Sequence, residues 1–137
     1  MSQADPNIAS ANPQKQRRGF NRLWHAALYS LAGLKAAWAG TPAFRLEVLL
    51  FTLMLPVAFY LGKTWVEIAF LLSTGVLLMV VELLNTAIET AIDRISLELH
   101  PLSGMAKDLG SAAVFVASCY TALVWGLAAC SHFFSVF

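Results

Sequence analysis

The fold is decided by residues 65–95, which read WVEIAFLLSTGVLLMVVELLNTAIETAIDRI. The first half of this segment is almost entirely apolar, and no proline interrupts the segment. A helix over its whole length would be about 46 Å long, whereas the hydrocarbon core of a bilayer is about 30 Å thick. We therefore predict a membrane-spanning helix, residues 65–95, whose last three turns protrude from the apolar layer.

The second half of this segment places its polar side chains on one stripe of the predicted helix. On a helix that turns by about 100° per residue, Glu82, Asn85, Glu89 and Asp93 fall within roughly 80° of one another. A carboxylate at membrane depth costs on the order of 2–3 kcal/mol or more unless it faces protein, water or a partner. Glu82 lies at that depth, and we therefore interpret it as a functional residue.

The composition is that of a small helical membrane protein. Of the 137 residues, 58% are hydrophobic and 12% are charged, against about 45–50% and about 25% in an ordinary soluble domain. The apolar residues form three long blocks, which predicts three spanning helices. There is no run of basic residues with interleaved aromatics, so we expect no binding to nucleic acid.

The remaining segments predict the order of helices and loops along the chain. Residues 1–18 are polar and predict a disordered cytoplasmic tail, and residues 19–137 predict a single membrane-embedded domain. An amphipathic pattern over residues 20–39 predicts a surface helix in the membrane interface, with packing on other protein as the alternative. The predicted spans are 44–61, 65–95 and 107–134, and a polar loop fills 96–106. Lys and Arg concentrate in the N-terminal tail, in the first helix and at the two ends of this loop, Arg94 and Lys107. The positive-inside rule therefore places the N-terminus and the loop in the cytoplasm.

The residue types near the cytoplasmic side suit phosphoryl transfer to a membrane-resident alcohol. A carboxylate such as Glu89 can bind Mg²⁺ together with nucleotide phosphates, whose charge Lys107 and Arg22 can neutralise. Glu82 can take a proton from a hydroxyl group delivered within the bilayer. In such reactions, positioning and charge neutralisation supply most of the catalysis.

The spacing alone leaves a structural alternative open. In it, Glu82 and Asn85 form hydrogen bonds that hold helices together, as polar residues in membrane helices do. Glu89, Asp93 and Lys107 then form a solvated network of ion pairs beside the membrane. A non-enzymatic membrane assembly factor or a small transporter would fit this alternative, with Glu82 as a structural or proton-relay carboxylate.

Three stretches resemble one known family. They are GLKAAW at 33–38, AFRLE at 43–47 and ELLNTAIETAIDRISLELHPLSGMAKDLGSAAV at 82–114. They resemble the signature of the prokaryotic diacylglycerol kinase family, and the likeness covers the chain from about Phe20 to the C-terminus. A related branch of that family phosphorylates undecaprenol, and these motifs do not separate the two acceptors.

The resemblance implies an all-helical, homotrimeric lipid kinase of the inner membrane that uses ATP and Mg²⁺, with active sites shared between protomers. It also implies roles for single residues. Glu82 matches the general base, Glu89 a metal ligand, and Asn85 a neighbour that orients the site. The positions that match nucleotide contacts are Arg22, Tyr29, Glu89, Glu98, His100, Lys107 and Asp108. The positions that match lipid contacts are Arg22, Ser30, Lys35, Trp38, Arg45, Glu47, Glu82 and Ser111.

The chain departs from the family pattern at the metal site. Where the family commonly has a second acidic ligand, this chain has Thr41, and no carboxylate occurs between Lys35 and Glu47. Either water and ATP oxygens fill that coordination position, which Mg²⁺ tolerates, or the metal affinity is lower than usual. Lys35 itself replaces a more usual Arg, which weakens any bidentate contact.

Overall fold

The chain folds into four α-helices. A computed structural model describes residues 20–96 and 98–134, and the predicted tail over 1–18 lies outside these ranges. The helices are α1 (Phe20–Gly40), α2 (Pro42–Leu61), α3 (Trp65–Ile95) and α4 (Pro101–Phe134). Within the two described ranges there is no β-strand. The predicted all-helical architecture is therefore confirmed.

Three of these helices are long and apolar enough to cross a membrane. The mean hydropathy of the most apolar part is 1.8 in α2, 2.1 in α3 and 1.8 in α4. Large apolar side chains on all three point outward, among them Leu53, Phe70 and Phe115, which are more than half exposed. An apolar exterior of this kind is stable in hydrocarbon and not in water.

Local sequence signals define the ends of α2 and α3. Thr41 has extended backbone angles directly before α2, and a proline occupies the first helical position, which suits proline because that position needs no N–H donor. The side chain of Thr64 accepts a hydrogen bond of 3.2 Å from the backbone N of Glu67 and so caps α3. Between the two helices, a Cβ atom at Gly62 would stand 2.6 Å from the Ile68 side chain, so the tight turn requires glycine.

The last helix begins earlier than predicted. It starts at Pro101, six residues before the predicted start of the third span at Lys107, so the loop predicted over 96–106 is shorter. His100 Nδ1 accepts a hydrogen bond of 3.2 Å from the backbone N of Leu102, which satisfies one of the free donors of the first turn. Pro101 then occupies a position where proline favours a helix start.

Helix α3 is central to the packing of the three apolar helices. It packs extensively against α4 and along much of α2, whereas α2 and α4 touch only briefly. Ala58, Leu61 and Leu71 form a buried cluster beside the turn between α2 and α3. Because α3 has neighbours on two sides, the polar stripe near its C-terminal end faces protein over part of its length.

The chain divides into two compact units after Ala36. The first unit contains most of α1, whose described side chains are nearly all exposed, including Leu23, Trp24 and Leu31. Within it, the rings of His25 and Tyr29 lie 6.3 Å apart, and Ser30 Oγ donates a hydrogen bond of 3.0 Å to the backbone O of Ala26. The second unit runs from Ala37 and contains the spanning helices.

Candidate active site at the polar end of the spanning helices

The polar stripe of α3 is buried at its membrane end and open at its other end. Glu82 is 4% exposed and Asn85 is 9% exposed, whereas Glu89 is half-buried and Asp93 is exposed. The exposure of these side chains increases along the stripe because α2 and α4 cover its first part. The stripe therefore connects a buried carboxylate to an accessible surface over about 16 Å of helix.

Asn85 is wedged between α3 and α4. Its Nδ2 donates a hydrogen bond of 3.2 Å to Glu89 Oε1 on the same helix. Its Oδ1 is buried without a hydrogen-bond partner among the described residues. The same oxygen lies so close to Gly110 on α4 that a Cβ atom there would overlap it. Asn85 thus holds the Glu89 carboxylate in place, and Gly110 makes room for it.

Glu47 brings a further carboxylate to this end of the spanning helices. It lies on α2, which packs against α3, the helix that carries Glu82. Its Oε2 atom is buried and has no hydrogen-bond partner within the described ranges. A buried polar atom without a partner costs about 1–3 kcal/mol. Such atoms at Glu47 and Asn85 therefore indicate a site that a ligand or water completes.

An open cleft lies at the far end of the stripe. It has a volume of about 600 Å³, and Asp93, Glu98, His100 and Lys107 contribute to its wall. Lys107 Nζ on α4 forms an ion pair of 2.5 Å with Asp93 Oδ1 on α3. The cleft thus brings together three of the residues that sequence analysis assigned to the nucleotide, which are Glu98, His100 and Lys107.

The structural alternative agrees with the described contacts in one respect and differs in another. The ion pair between Asp93 and Lys107 is present, and both side chains are well exposed, at 50% and 39%. The hydrogen bond of Asn85, however, stays within α3 and joins no second helix. Its unpaired oxygen leaves the interhelical contact incomplete.

The other predicted site residues are divided between the two units. Arg22, Tyr29, Ser30 and Lys35 lie on α1 in the first unit. In the second unit, exposed positions hold the remaining four predicted residues, which are Trp38, Arg45, Asp108 and Ser111.

The donor set near Glu89 fits a metal ion that arrives with a nucleotide. Within residues 20–96 and 98–134, no group of three or more His, Cys, Asp and Glu side chains could hold a metal ion. Mg²⁺ usually keeps several waters and binds one or two carboxylates plus substrate phosphates. Glu89 supplies such a carboxylate, held by Asn85. The fit is therefore to a shared metal site and not to a complete protein cage.

One residue of this region was missed by sequence analysis. Thr86 Oγ1 lies 3.5 Å from Thr41 Oγ1, so a hydroxyl pair joins α2 to α3 at the position where the resemblance implied an acidic residue. The two threonines are 45 residues apart in the chain. No spacing rule connects them, and only the packing of α2 on α3 reveals the pair.

The arrangement defines a class of protein, namely a membrane-embedded protein in which a buried carboxylate, Glu82, leads to an open polar cleft. The model of the prokaryotic diacylglycerol kinase family matches residues 28–129. The chain is 48% identical to the diacylglycerol kinase of Haemophilus influenzae over 108 residues, covering 79% of this chain and 92% of that protein. It is 48% identical to that of Pseudomonas aeruginosa over 116 residues, which cover 85% and 94% of the two chains.

A third relative, the diacylglycerol kinase of Escherichia coli strain K12, is 44% identical over 115 residues, or 84% of this chain and 94% of that one. The chain belongs to the prokaryotic diacylglycerol kinase family. The resemblance seen in the sequence is therefore confirmed, and the chain is a multi-pass membrane kinase. Kinases of known mechanism use metal ions in phosphoryl transfer. The non-enzymatic alternative no longer stands.

Proposed function

We propose that this chain transfers the γ-phosphoryl group of ATP to the hydroxyl group of diacylglycerol in the inner membrane, which gives phosphatidate. The observation that carries the proposal is the polar stripe of α3, which runs from buried Glu82 to the open cleft at Lys107. The names of the relatives support the choice of diacylglycerol.

Glu82 acts as the general base at the buried end. The acceptor oxygen forms a bond to the γ-phosphorus, the bond from that phosphorus to the bridging oxygen of ADP breaks, and the hydroxyl proton passes to the Glu82 carboxylate. Glu47 lies on the neighbouring helix α2, and its unpaired oxygen can accept a hydrogen bond from the incoming alcohol. Glu47 thus orients the acceptor hydroxyl group, and Glu82 takes its proton.

The nucleotide occupies the cleft at the other end of the stripe. Lys107 exchanges Asp93 for a nucleotide phosphate, which is easy because an exposed ion pair contributes only about 0–1 kcal/mol. Glu98 and His100 line the same cleft and contact the nucleoside. By resemblance to the family, Arg22, Tyr29 and Asp108 complete these contacts.

Glu89 would hold Mg²⁺ together with the nucleotide phosphates. A bound magnesium ion would neutralise phosphate charge during the transfer. Asn85 fixes the orientation of the Glu89 carboxylate through its hydrogen bond. Because Thr41 and Thr86 contribute neutral hydroxyl groups, the protein supplies less negative charge to the metal than a second carboxylate would.

The proposed contacts to the lipid headgroup and the proposed assembly of the chain are based on the family pattern. We infer that Ser30, Lys35, Trp38, Arg45 and Ser111 surround the headgroup, with α1 in the membrane interface and the N-terminus in the cytoplasm. The chain assembles as a homotrimer in which the active sites are shared between protomers. The many outward apolar side chains of α2, α3 and α4 leave ample surface for such contacts.

The direct test is transfer of labelled γ-phosphate from ATP with Mg²⁺ by purified protein in mixed micelles. Diacylglycerol and undecaprenol are offered in parallel, and the Glu82→Gln variant is the control. We expect labelled phosphatidate and little labelled undecaprenyl phosphate. Transfer to undecaprenol alone would assign the chain to the other branch, and transfer to neither acceptor by folded protein would contradict the proposal.

A further inference from the structure

His100 is the N-cap residue of α4. Its backbone O accepts a hydrogen bond of 3.0 Å from the backbone N of Gly104, and its Nδ1 atom accepts one of 3.2 Å from the backbone N of Leu102. N-cap side chains satisfy the free donors of the first turn in this way. The usual N-cap residues are Ser, Thr, Asp and Asn, which remain acceptors at every pH near neutrality. Histidine is an acceptor only while its ring is neutral.

The cap therefore depends on the protonation state of the imidazole. An Nδ1 atom that accepts a hydrogen bond carries no proton, so the proton of the neutral ring is on Nε2. A second proton would turn Nδ1 into a donor that faces the N–H group of Leu102, and this hydrogen bond would be lost. The new positive charge would also lie at the positive end of the helix dipole, which is unfavourable. Histidine is the side chain that ordinarily gains this charge between about pH 8 and pH 5.

The first turn of α4 forms part of the wall of the proposed nucleotide cleft. Pro101, Ser103 and Gly104 line that cleft together with His100 itself. Lys107 lies seven residues beyond His100, on the same face of α4, and also lines the cleft. If the first turn unwinds, the cleft loses these wall residues, and the helix end that carries Lys107 is no longer fixed.

This turn is largely exposed, so its cap matters for its stability. Pro101, Leu102 and Gly104 are all exposed. A glycine inside a helix also weakens the helix, and the space around the Cβ position of Gly104 is open within 4 Å. Packing thus contributes less to this turn than to the buried parts of α4, and the hydrogen bond to His100 contributes correspondingly more.

The charged groups that line the cleft with His100 come from three segments. Asp93 lies on α3, Glu98 precedes α4, and Lys107 lies on α4. The two carboxylates attract a protonated imidazole, whereas Lys107, which is paired with Asp93, repels it. Carboxylates and lysine ammonium groups as a rule keep their charge between pH 6 and pH 8. A change of nucleotide affinity in this range therefore reports on histidine.

We propose that His100 is a positioning residue whose neutral imidazole holds the first turn of α4, so that the affinity of the cleft for ATP falls as the pH falls. The inference rests on the proposed function, because it describes the regulation of the proposed nucleotide cleft. A direct contact between His100 and a phosphate would have the opposite effect, since an imidazolium attracts phosphate and acidification would strengthen binding. The direction of the pH dependence therefore separates the two roles.

The test compares the unmodified protein with His100→Asn, because Asn is a good N-cap whose amide does not titrate. The Kd for the non-hydrolysable β,γ-imido analogue of ATP is measured with Mg²⁺ in micelles at pH 8 and pH 6. A lost N-cap changes a helix equilibrium by about 2- to 30-fold. We therefore expect the ratio of the Kd at pH 6 to that at pH 8 to be about fivefold larger in the unmodified protein than in His100→Asn.

Two features of this design isolate the histidine. Protonation of the nucleotide phosphates is common to both proteins and cancels in the comparison. His132→Asn, at the other end of α4, is the matched control and should keep the full pH dependence. If His100→Asn does not fold, His100→Asp supplies a second N-cap that accepts hydrogen bonds over the same pH range.

Hydrogen exchange tests the cap without a nucleotide. Protection of the amides in residues 99–106 is measured by mass spectrometry at both pH values, relative to the intrinsic exchange rate. We expect protection to fall at pH 6 in the unmodified protein and to stay constant in His100→Asn. Equal protection of the two proteins at both pH values would contradict the proposed cap.

The outcomes distinguish this inference from the proposed function. If the unmodified protein binds no nucleotide at either pH, the proposed function fails, and hydrogen exchange still decides whether His100 is a pH-dependent cap. If both proteins bind the analogue with the same pH dependence, the positioning role is overturned. Tighter binding at pH 6 in the unmodified protein alone would overturn it as well, in favour of a direct contact with phosphate.

Discussion

Asn85 forms one hydrogen bond through its amide nitrogen and lacks one at its buried amide oxygen. Its amide nitrogen holds Glu89, while its buried oxygen has no partner among the described residues. An unsatisfied buried oxygen costs about 1–3 kcal/mol, whereas an ordinary hydrogen bond contributes about 0.5–1.5 kcal/mol. Asn85 therefore lowers the stability of the empty protein, and its role is explained by the carboxylate that it orients.

A substitution at Asn85 tests this role. Asn85→Ala removes the hydrogen bond to Glu89, and residues that orient a metal ligand typically contribute about 10- to 100-fold to metal affinity. We expect the Mg²⁺ concentration for half-maximal activity to rise by about tenfold or more, as measured by magnesium titration at saturating ATP. Thr90→Ala, one residue beyond Glu89 and exposed, is the control. An unchanged magnesium requirement would refute the positioning role.

Gly110 is the complementary residue on α4. Replacing a helical glycine by alanine normally stabilises a helix by about 0.5–1 kcal/mol. At Gly110 the added methyl group would overlap the Asn85 amide, and overpacking costs about 1–3 kcal/mol. The steric cost is the larger effect, so we expect Gly110→Ala to lower both the Tm and the activity.

The measurement is thermal unfolding in detergent, with activity determined on the same samples. Gly126→Ala on the same helix has open space around its Cβ position and should leave the Tm unchanged or raise it. If Gly110→Ala behaves like Gly126→Ala, Asn85 is not wedged against α4 as described.

At the scale of elements, the polar ends of α3 and α4 form the cleft that we propose for the nucleotide. Asp93 and Lys107 join the two helices, but both side chains are exposed and the pair adds at most about 1 kcal/mol to stability. The proposed function of Lys107 is to bind phosphate. The ion pair and the nucleotide therefore compete for the same ammonium group.

A variant in which Asp93 and Lys107 exchange their charges separates the ion pairing of Lys107 from its proposed binding of phosphate. The double variant Asp93→Lys, Lys107→Asp retains an ion pair between α3 and α4 but moves the cation away from α4. We expect its Tm to stay close to that of the unmodified protein and its KM for ATP to rise about tenfold, the scale of a lost charged contact to phosphate. A normal KM for ATP in the double variant would show that Lys107 serves only the ion pair.

The elements themselves were largely predictable from sequence. The long apolar runs predict three spanning helices, and the spacing of Glu82, Asn85 and Glu89 predicts one stripe because helical periodicity is a local property. The start of α4 was misplaced because Pro101 and His100 belong to a polar segment that resembles a loop. Only their hydrogen bonds and position reveal a helix start.

The contacts between elements were not predictable. The distance between Thr41 and Thr86, the approach of Gly110 to Asn85 and the position of Phe51 against Gly75 depend on how helices pack. A sequence pattern shows that Gly110 is small and suited to close packing. It does not show which side chain fills the space.

At the scale of the whole molecule, the chain buries little of its apolar surface. In the parts that the structure describes, only six apolar residues are buried, and 6% of the most apolar stretch of α4 is buried. Lipid alone could cover such a surface, but the proposed site also needs residues of α1. The proposed homotrimer with shared active sites would cover part of this surface and would supply the α1 residues.

Mixing two inactive variants tests the shared sites. Glu82→Gln disables the proposed base, and Arg22→Ala disables a proposed nucleotide contact on α1. If a site takes these residues from two different protomers, random one-to-one mixing should restore about a quarter of the sites. The measurement is phosphatidate formation after the unfolded variants are combined and refolded together. No recovery, from mixed trimers verified by two affinity tags, would place both residues in the same protomer.

The most direct test of the whole account is a comparison of Glu82→Gln with Glu67→Gln, since both lie on α3 but Glu67 is at the opposite end, exposed beside the turn to α2. For each variant, the turnover number with diacylglycerol and the Kd for ATP are measured in the same micelles. We expect Glu82→Gln to lower kcat by about 10²–10⁴-fold and to leave the Kd for ATP unchanged, because only proton transfer is lost. Glu67→Gln should change neither quantity. A Glu82→Gln variant that keeps its turnover would contradict the assignment of Glu82 as the base.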